Sequence, residues 1–335
     1  MMTPVARLME ISYDGLVAQR AVYAAAKLGI ADALAGGEVS SNQVALEVGA
    51  EPESTYRLMR TLASIGILAE SAGRQFGLTP TGELLRTDHP QSMRQWIIFS
   101  GEPAYLAAWG EIVHTIQTGR PAWDKAHTLS FFEYMAAHPE AGRIFDEAMT
   151  SLSHEEAQAV AGAYDFTQFH NVVDVGGGQG NLLVTLLKRY PAMRGVVFDQ
   201  PQVVEQAKTV LTAEGLGSRC GLESGDFFNA VPAGGDAYLL KYILHDWDDA
   251  HAVTILASCR RAIRPDGKLL LVETVVPGPD EAHFAKLQDL EMLVLFASRE
   301  RTEEEYGRLL KQAGFRLERV VPTVQPVSVV EAVPI

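Results

Sequence analysis

The chain has 335 residues, 47% of them apolar and 21% charged, with a formal net charge of −14. That length gives room for two or three folding units, and the composition is that of an ordinary globular protein. The acid excess argues against nucleic acid or an anionic membrane as partner. No apolar run reaches the length of a membrane span, and no basic segment with a long apolar core opens the chain, so a cytoplasmic protein without a signal peptide is expected. Cys220 and Cys259 match no metal or redox spacing and read as small apolar fillers.

The first unit covers residues 1–90. Gly15–Leu34 reads as one alanine-rich helix, apolar at Leu16, Val17, Val22, Tyr23 and Leu28. Ser40-Ser-Asn-Gln43 opens a short helix through Val48, and Pro52–Leu62 gives another. Ile65-Gly-Ile-Leu68 begins a hairpin with Gly73 at its turn. This order is a winged-helix pattern, which serves either DNA binding or protein–protein contact. Residues 1–90 hold seven basic and ten acidic residues, and the helix that would enter a groove opens with Glu51 and Glu53. A DNA-binding module needs a basic footprint, so a protein contact is predicted.

Residues 91–165 read as helical and aromatic, with Trp96, Phe99, Tyr105, Trp109, Trp123, Phe131, Phe132, Tyr134 and Phe145. Most of these rings are expected to pack internally. A flat aromatic ligand would need some of them as a wall.

Residues 166–335 alternate strands and helices, the pattern of a doubly wound parallel sheet. Asn171–Val175 is a buried strand, followed by a turn with Gly176, Gly178 and Gly180 and then the helical run Leu182–Tyr190. Gly195–Phe198 is followed by Asp199, Arg219–Ser224 by Gly225-Asp226-Phe227-Phe228, Asp236–Leu240 by Lys241 and then His245-Asp246, and Lys268–Val272 by Glu273. In an open α/β sheet the carboxyl ends of the strands line the ligand crevice. Helices are predicted over Pro201–Glu214, Asp249–Ile263 and Glu303–Ala313, the last with a Thr302/Glu305 capping box and Gly314 as its stop. Arg316–Val321 and Val327–Val333 would close the sheet.

The glycine turn also bears on the ligand. Asn181 stands where a dinucleotide-binding turn begun at Gly176 would have its last glycine. Asp199 lies at the right distance to hold a ribose diol, and Asp226 with Phe227 suits an adenine. A ligand with adenine and ribose but no pyrophosphate fits, and S-adenosylmethionine is the candidate.

Asp174-Val-Gly-Gly-Gly-Gln-Gly180, Phe198-Asp-Gln-Pro201, Gly225-Asp-Phe-Phe228, His245-Asp-Trp247, Glu273 and Arg299-Glu-Arg-Thr302 occur in the order of a known family. The chain resembles the plant-type, class I small-molecule O-methyltransferases, which include caffeic-acid and acetylserotonin enzymes and bacterial antibiotic-pathway members. The resemblance implies a Rossmann-like methyltransferase sheet over residues 166–335, an N-terminal winged-helix dimerisation domain over 1–90, and a helical substrate-covering segment over 91–165. It implies a homodimer. It also implies that Asp174, Gly176, Gly178, Asp199, Gln200, Asp226, Phe227, Lys241 and Ser153 face S-adenosylmethionine or its product S-adenosylhomocysteine. Phe145, Met149, Tyr242, Met292 and Phe296 would face the substrate.

His245 follows the fourth strand on the ligand side of the sheet, where a histidine can take a phenolic proton. The resemblance places Glu273 and Glu300 beside it, and Asp246 could help place the substrate oxygen. No metal is expected, because Asp199, Asp226 and Glu273 lie on different strands. Two departures bear on the substrate: Tyr242 stands where plant members often have Trp, and Ala297-Ser298 replaces a glycine pair. The expected activity is O-methylation of a small aromatic molecule in bacterial secondary metabolism. The rivals are an N-methyltransferase on the same scaffold, a winged-helix regulator that senses S-adenosylmethionine, and a nicotinamide dehydrogenase, the last disfavoured by the glycine spacing.

Overall fold

The computed structural model describes residues 2–296 and 298–335. It forms two compact units, one of residues 1–110 with 132–152 and the other of residues 111–131 with 153–335. The helical middle stretch is thus divided between them, and the break falls inside one long helix, Pro139–Ala163.

In the first unit the chain is already helical at Pro4, where Thr3 Oγ1 accepts the N–H of Ala6. A π-helical turn at Glu10–Asp14 leads into the helix Gly15–Leu28. The expected single helix through Leu34 is corrected here: it stops at Gly29, whose φ of +77° only glycine adopts cheaply, and Ile30–Ala33 forms a separate turn. Ser40 and Gln43 make a full capping box for Ser41–Glu47. Pro52–Ser64 follows, and the hairpin Leu68–Ser71/Gln75–Leu78 turns through Gly73 and Arg74, both at positive φ. Val39–Ser40 adds a third strand antiparallel to Gln75–Phe76. Ala25, Ile30, Leu34, Val44, Met59, Leu62 and Phe76 fill the core between them.

The charge pattern of this unit is explained locally. The Glu51 side chain accepts the N–H groups of Glu53 and Ser54 and so caps its own helix. Arg74 pairs with Glu53 at 2.8 Å and lies over the Tyr56 ring at 3.8 Å. The wing's cation is therefore engaged with the helix's acid rather than held out for phosphate.

In the second unit we number the strands of the large sheet β1 (Asn171–Val175), β2 (Arg194–Asp199), β3 (Cys220–Ser224), β4 (Ala237–Lys241), β5 (Lys268–Glu273), β6 (Phe315–Pro322) and β7 (Ser328–Pro334). Their spatial order is β3-β2-β1-β4-β5-β7-β6. The strands β1 to β5 run parallel, and β7 and β6 are antiparallel additions. Successive residues of a strand face opposite ways. Leu239 and Leu270 accordingly enter one core with Leu183, Leu186 and Val197, while Tyr238, Leu240, Leu269 and Leu271 enter the other with Leu256 and Leu310. Strand order reverses between β1 and β4, so a crevice opens at their carboxyl ends.

A two-stranded parallel pair, Val275–Val276 with Arg301–Thr302, stands beside the large sheet. It was not expected. It ties the segment leaving β5 at Glu273 to the segment that begins at Glu300. The Thr302/Glu305 capping box then starts Glu303–Gln312, and Gly314 follows it at φ +82°.

Candidate active site

The glycine turn sits at the end of β1. Gly176 has φ +68°, and a Cβ there would come within 2.4 Å of Ile243 Cδ1, so no other residue fits without displacing that side chain. Its N–H donates to the Phe198 carbonyl at 2.8 Å. Gly178 and Gly180 are also at positive φ, and Gly178 has open space beside it. The β2 carboxylate Asp199 accepts the Gly178 N–H through Oδ2 at 2.9 Å and the Gln200 N–H through Oδ1 at 2.7 Å. Gln200 itself is exposed and accepts from Gln202.

Asp174 lies beneath this turn, 2% exposed. Burial, with Asp199 nearby, pushes its carboxyl up to about 7. Asp226 is exposed, and its carboxylate accepts the Phe228 N–H and the Asn229 side-chain amide at 2.9 Å each. It therefore shapes its own loop. Phe227 Cε1 lies 3.7 Å from the place a Gly176 Cβ would occupy.

Past β4 the backbone turns sharply. Tyr242 holds φ +53°, which is strained for an aromatic residue, and Leu244–Asp246 forms a single 3-10 turn. His245 Nδ1 and Glu300 Oε1 are 2.9 Å apart, and His245 Nε2 lies 3.4 Å from Asp246 Oδ1. Glu273 makes no bond to the ring. Its Oε1 instead accepts the N–H groups of Ile243 at 3.2 Å and Leu244 at 2.9 Å, so it holds the turn that carries the histidine. Ligand atoms of His245, Glu273 and Glu300 nonetheless all lie within 4.8 Å of one another.

The electrostatics follow from this crowding. Burial alone would lower the His245 pKa, but Asp246, Glu300 and Glu273 outweigh it and raise the ring to about 10. Glu273 is itself pushed up to about 7 by burial, with His245 opposing the rise. Asp246 is raised by burial, again against the pull of His245. These groups titrate together. The three acids together favour the protonated ring in the free protein.

Several residues not expected from the sequence complete the site. Glu156, on the long helix, accepts the Tyr242 hydroxyl at 2.8 Å and pairs with Lys241 Nζ at 2.7 Å. Lys241 also donates to Ser153 Oγ at 3.3 Å. The expected cofactor contacts Lys241 and Ser153 thus meet each other through a mostly buried ion pair. Thr274 reaches the Tyr242 hydroxyl at 3.3 Å. Asp289 accepts the Glu300 N–H at 2.9 Å. Glu156 is one acid in a polar helix, and only its burial distinguishes it, so no sequence signal could have singled it out.

Of the residues expected at the substrate, Tyr242 stacks on His245. Met292 is buried on the helix Ala285–Phe296, and the Phe296 ring lies 4.9 Å from Phe131, which in turn contacts Trp123 at 4.8 Å. Phe145 and Met149 belong to the first unit, where Phe145 packs on Phe99 at 5.5 Å. Of the replaced glycine pair, Ser298 is buried and Ala297 lies outside the described residues. A polar cleft of about 430 Å³ opens at the opposite, amino ends of the strands, lined by Asn171, Asp236, Arg264 and Lys268 among others. None of the candidate catalytic, cofactor or substrate residues lines it.

Comparison with known proteins bears directly on this geometry. Residues 109–316 match the O-methyltransferase domain family, and residues 12–88 match the O-methyltransferase dimerisation domain. The chain is 45% identical to the phenazine O-methyltransferase of Lysobacter antibioticus, over 99% of this chain and 97% of that one. It is 34% identical to the phenazine-1-carboxylate N-methyltransferase of Pseudomonas aeruginosa, over 90% and 89% of the two chains. It is similar to a solved O-methyltransferase from neocarzinostatin biosynthesis, in complex with S-adenosylmethionine and 2-hydroxy-5-methyl naphthoic acid (34% identity, TM-score 0.79, covering 95% of this chain and 96% of that one). The chain belongs to the S-adenosylmethionine-dependent O-methyltransferases of bacterial secondary metabolism that carry their own dimerisation domain.

Proposed function

We propose that the enzyme methylates a hydroxyl of a small, flat aromatic molecule, with His245 as the proton acceptor. The observation that carries this reading is the buried imidazole anchored at Nδ1 by Glu300 at 2.9 Å, with Nε2, 3.4 Å from Asp246 Oδ1, as the nitrogen assigned to the substrate. Three of the matched proteins support the substrate class, since two act on phenazines by name and one is bound to a naphthoic acid.

The residues fit the cofactor. A Cβ at Gly176 would collide with Ile243, and each Asp199 oxygen accepts one backbone N–H, so each retains a lone pair for a ribose hydroxyl. Asp174, Gly176, Gly178, Asp199, Gln200, Asp226, Phe227, Lys241 and Ser153 are the residues proposed to surround it. When bound, S-adenosylmethionine supplies an activated methyl group on a sulfonium, a cation suited to a region rich in carboxylates. We assign dimerisation to residues 1–90, substrate cover to 91–165 with Phe145, Met149, Tyr242, Met292 and Phe296, and cofactor binding to 166–335.

The protein's own task is to orient the substrate oxygen and take its proton. A phenol has a pKa near 10, and the acids that raise the His245 pKa bring the ring's basicity toward it. Proton transfer from the phenol is then less uphill than to an ordinary imidazole. Glu300 keeps Nδ1 protonated, which leaves the Nε2 lone pair for the substrate hydroxyl. The imidazolium that forms is held by Glu300, Asp246 and Glu273. The productive complex holds one proton fewer than imidazolium plus neutral phenol.

N-methylation is the second reading. The N-methyltransferase relative favours it, and a neutral ring nitrogen needs no base, so a protonated His245 would be no obstacle. The discriminating assay offers matched hydroxy-aromatic and aza-aromatic compounds and locates the new methyl group by NMR. Methyl transfer to nitrogen alone would overturn the proposal.

A further inference from the structure

Glu300 and Arg301 are consecutive, yet both are buried and both serve the same turn. Glu300 bonds the His245 ring. The Arg301 guanidinium, 0% exposed, donates to the main chain on either side of that ring: Nη1 to the Leu244 carbonyl and Nη2 to the Trp247 carbonyl, both at 2.7 Å. Asp249 Oδ1 accepts from Arg301 Nε at 3.2 Å and Nη2 at 3.0 Å, which fixes the plane of the guanidinium. Arg299 clasps the same carboxylate from outside at 2.9–3.0 Å. A buried charge is costly unless it is fully partnered. Here the partners are the carbonyls that bracket His245 and one carboxylate, so the guanidinium does more than fill space.

We propose that Arg301 is a positioning residue for the transfer reaction: it clamps the turn Leu244–Trp247 so that His245 and Glu300 keep their working alignment. The inference rests on the reading of His245 as proton acceptor. The fork of an arginine is needed, because a lysine is a point charge and cannot span two carbonyls in one plane. The short parallel pair Val275–Val276/Arg301–Thr302 supplies the reference point, since it fixes residue 301 against the segment that leaves Glu273.

The test is a double-mutant cycle with Arg301→Lys and His245→Ala, read as kcat, cofactor affinity by calorimetry, and the pH profile of kcat/KM. Arg301→Lys should lower kcat about 10–100-fold, the scale of a small misplacement at a reacting centre. Its affinity for S-adenosylhomocysteine should stay within about twofold. Its alkaline limb should move to lower pH, because a loosened Glu300 holds less of the ring's proton affinity. In the His245→Ala background the lysine should cost nothing further.

Wild-type kcat in Arg301→Lys would overturn the inference. So would a joint loss of kcat, cofactor affinity and thermal midpoint, or a loss that simply adds to that of His245→Ala. If His245→Ala alone keeps wild-type kcat, the proton-acceptor reading has failed, and the clamp with it. Should Arg301→Lys not fold, Asp249→Asn replaces it. That side chain is half exposed, and loss of its charge should still lower kcat about threefold or more; an unchanged kcat again overturns the clamp.

Discussion

The Tyr242 ring lies stacked on the His245 imidazole, with centroids 4.9 Å apart and planes 19° apart. Its hydroxyl is drawn the other way, to Glu156 and Thr274. One residue in a strained backbone conformation thus links the buried Lys241–Glu156 pair to the face of the imidazole. Tyr242→Phe keeps the stack and removes the hydroxyl. It should cost roughly 1.5–3 kcal/mol, the worth of a hydrogen bond to a charged group, and lower the urea midpoint while kcat falls little. A large drop in kcat at unchanged stability would mean that the hydroxyl, not the ring, serves the reaction.

Asp199 accepts an amide from the glycine turn and one from its own strand end, so it holds the turn as well as the proposed ribose diol. Asp199→Ala should weaken S-adenosylmethionine more than tenfold, since charge-assisted bonds contribute about 1.5–3 kcal/mol each. Asp199→Asn, which retains an acceptor, should lose less. Calorimetry on both variants decides the point, and wild-type affinity in the alanine variant would remove Asp199 from the cofactor site.

The N-terminal helical stretch exposes Val5, Leu8, Ile11, Tyr13 and Leu16, each more than half accessible. Tyr13 and Leu16 fall within the residues matched to the dimerisation domain, and we take this exposed apolar face, continued by Val5, Leu8 and Ile11, as the proposed contact surface. Deleting residues 2–14 should shift the light-scattering mass from two chains toward one, and lower activity if the dimer supports the pocket. A truncated protein that remains fully dimeric would place the interface elsewhere.

Much of this architecture is legible in the residues themselves. The strands that carry Asp199, Lys241 and Glu273 are apolar runs that end in a polar group, and burial on both faces requires such runs. Gly73, Gly314, the Ser40/Gln43 pair and the Thr302/Glu305 pair mark turns and caps through local stereochemistry alone. What stayed hidden depends on distant partners. Arg301 sits in a charged run, and the carbonyls of Leu244 and Trp247 with the Asp249 carboxylate explain its burial. The parallel pair at Val275 and Arg301 has two residues per strand, too few for any periodicity. The role expected of Glu273 beside the ring is instead taken up by the amides of Ile243 and Leu244, a geometry set by the turn at Tyr242. The raised pKa of His245 likewise depends on Glu273 and Glu300, brought from other segments to join the adjacent Asp246.

That raised pKa shapes the pH dependence. The ring's pKa is raised from 6.5 to about 10, so the stability it contributes is complete below its unfolded value and is lost as pH rises through about 10. On the proton-acceptor reading, catalysis needs the His245–phenol pair to share one proton. For a phenol with a pKa near 10, both partners are protonated at neutral pH, and kcat/KM should climb about tenfold per pH unit toward 10. An acidic phenol that ionises near pH 7 changes the count: imidazolium with phenolate is then the productive pair from about pH 7 to 10, so the profile should level there and fall beyond it. His245→Ala removes the falling limb. It should lower kcat roughly 10²–10⁴-fold for the weakly acidic phenol and much less for the acidic one, because less proton removal is left to the protein. Single-turnover rates across a series of phenols of decreasing pKa, with both enzymes, give the ratio directly. If that ratio stays flat, His245 orients the substrate oxygen without taking its proton, and the alkaline limb of the wild-type profile belongs to another group.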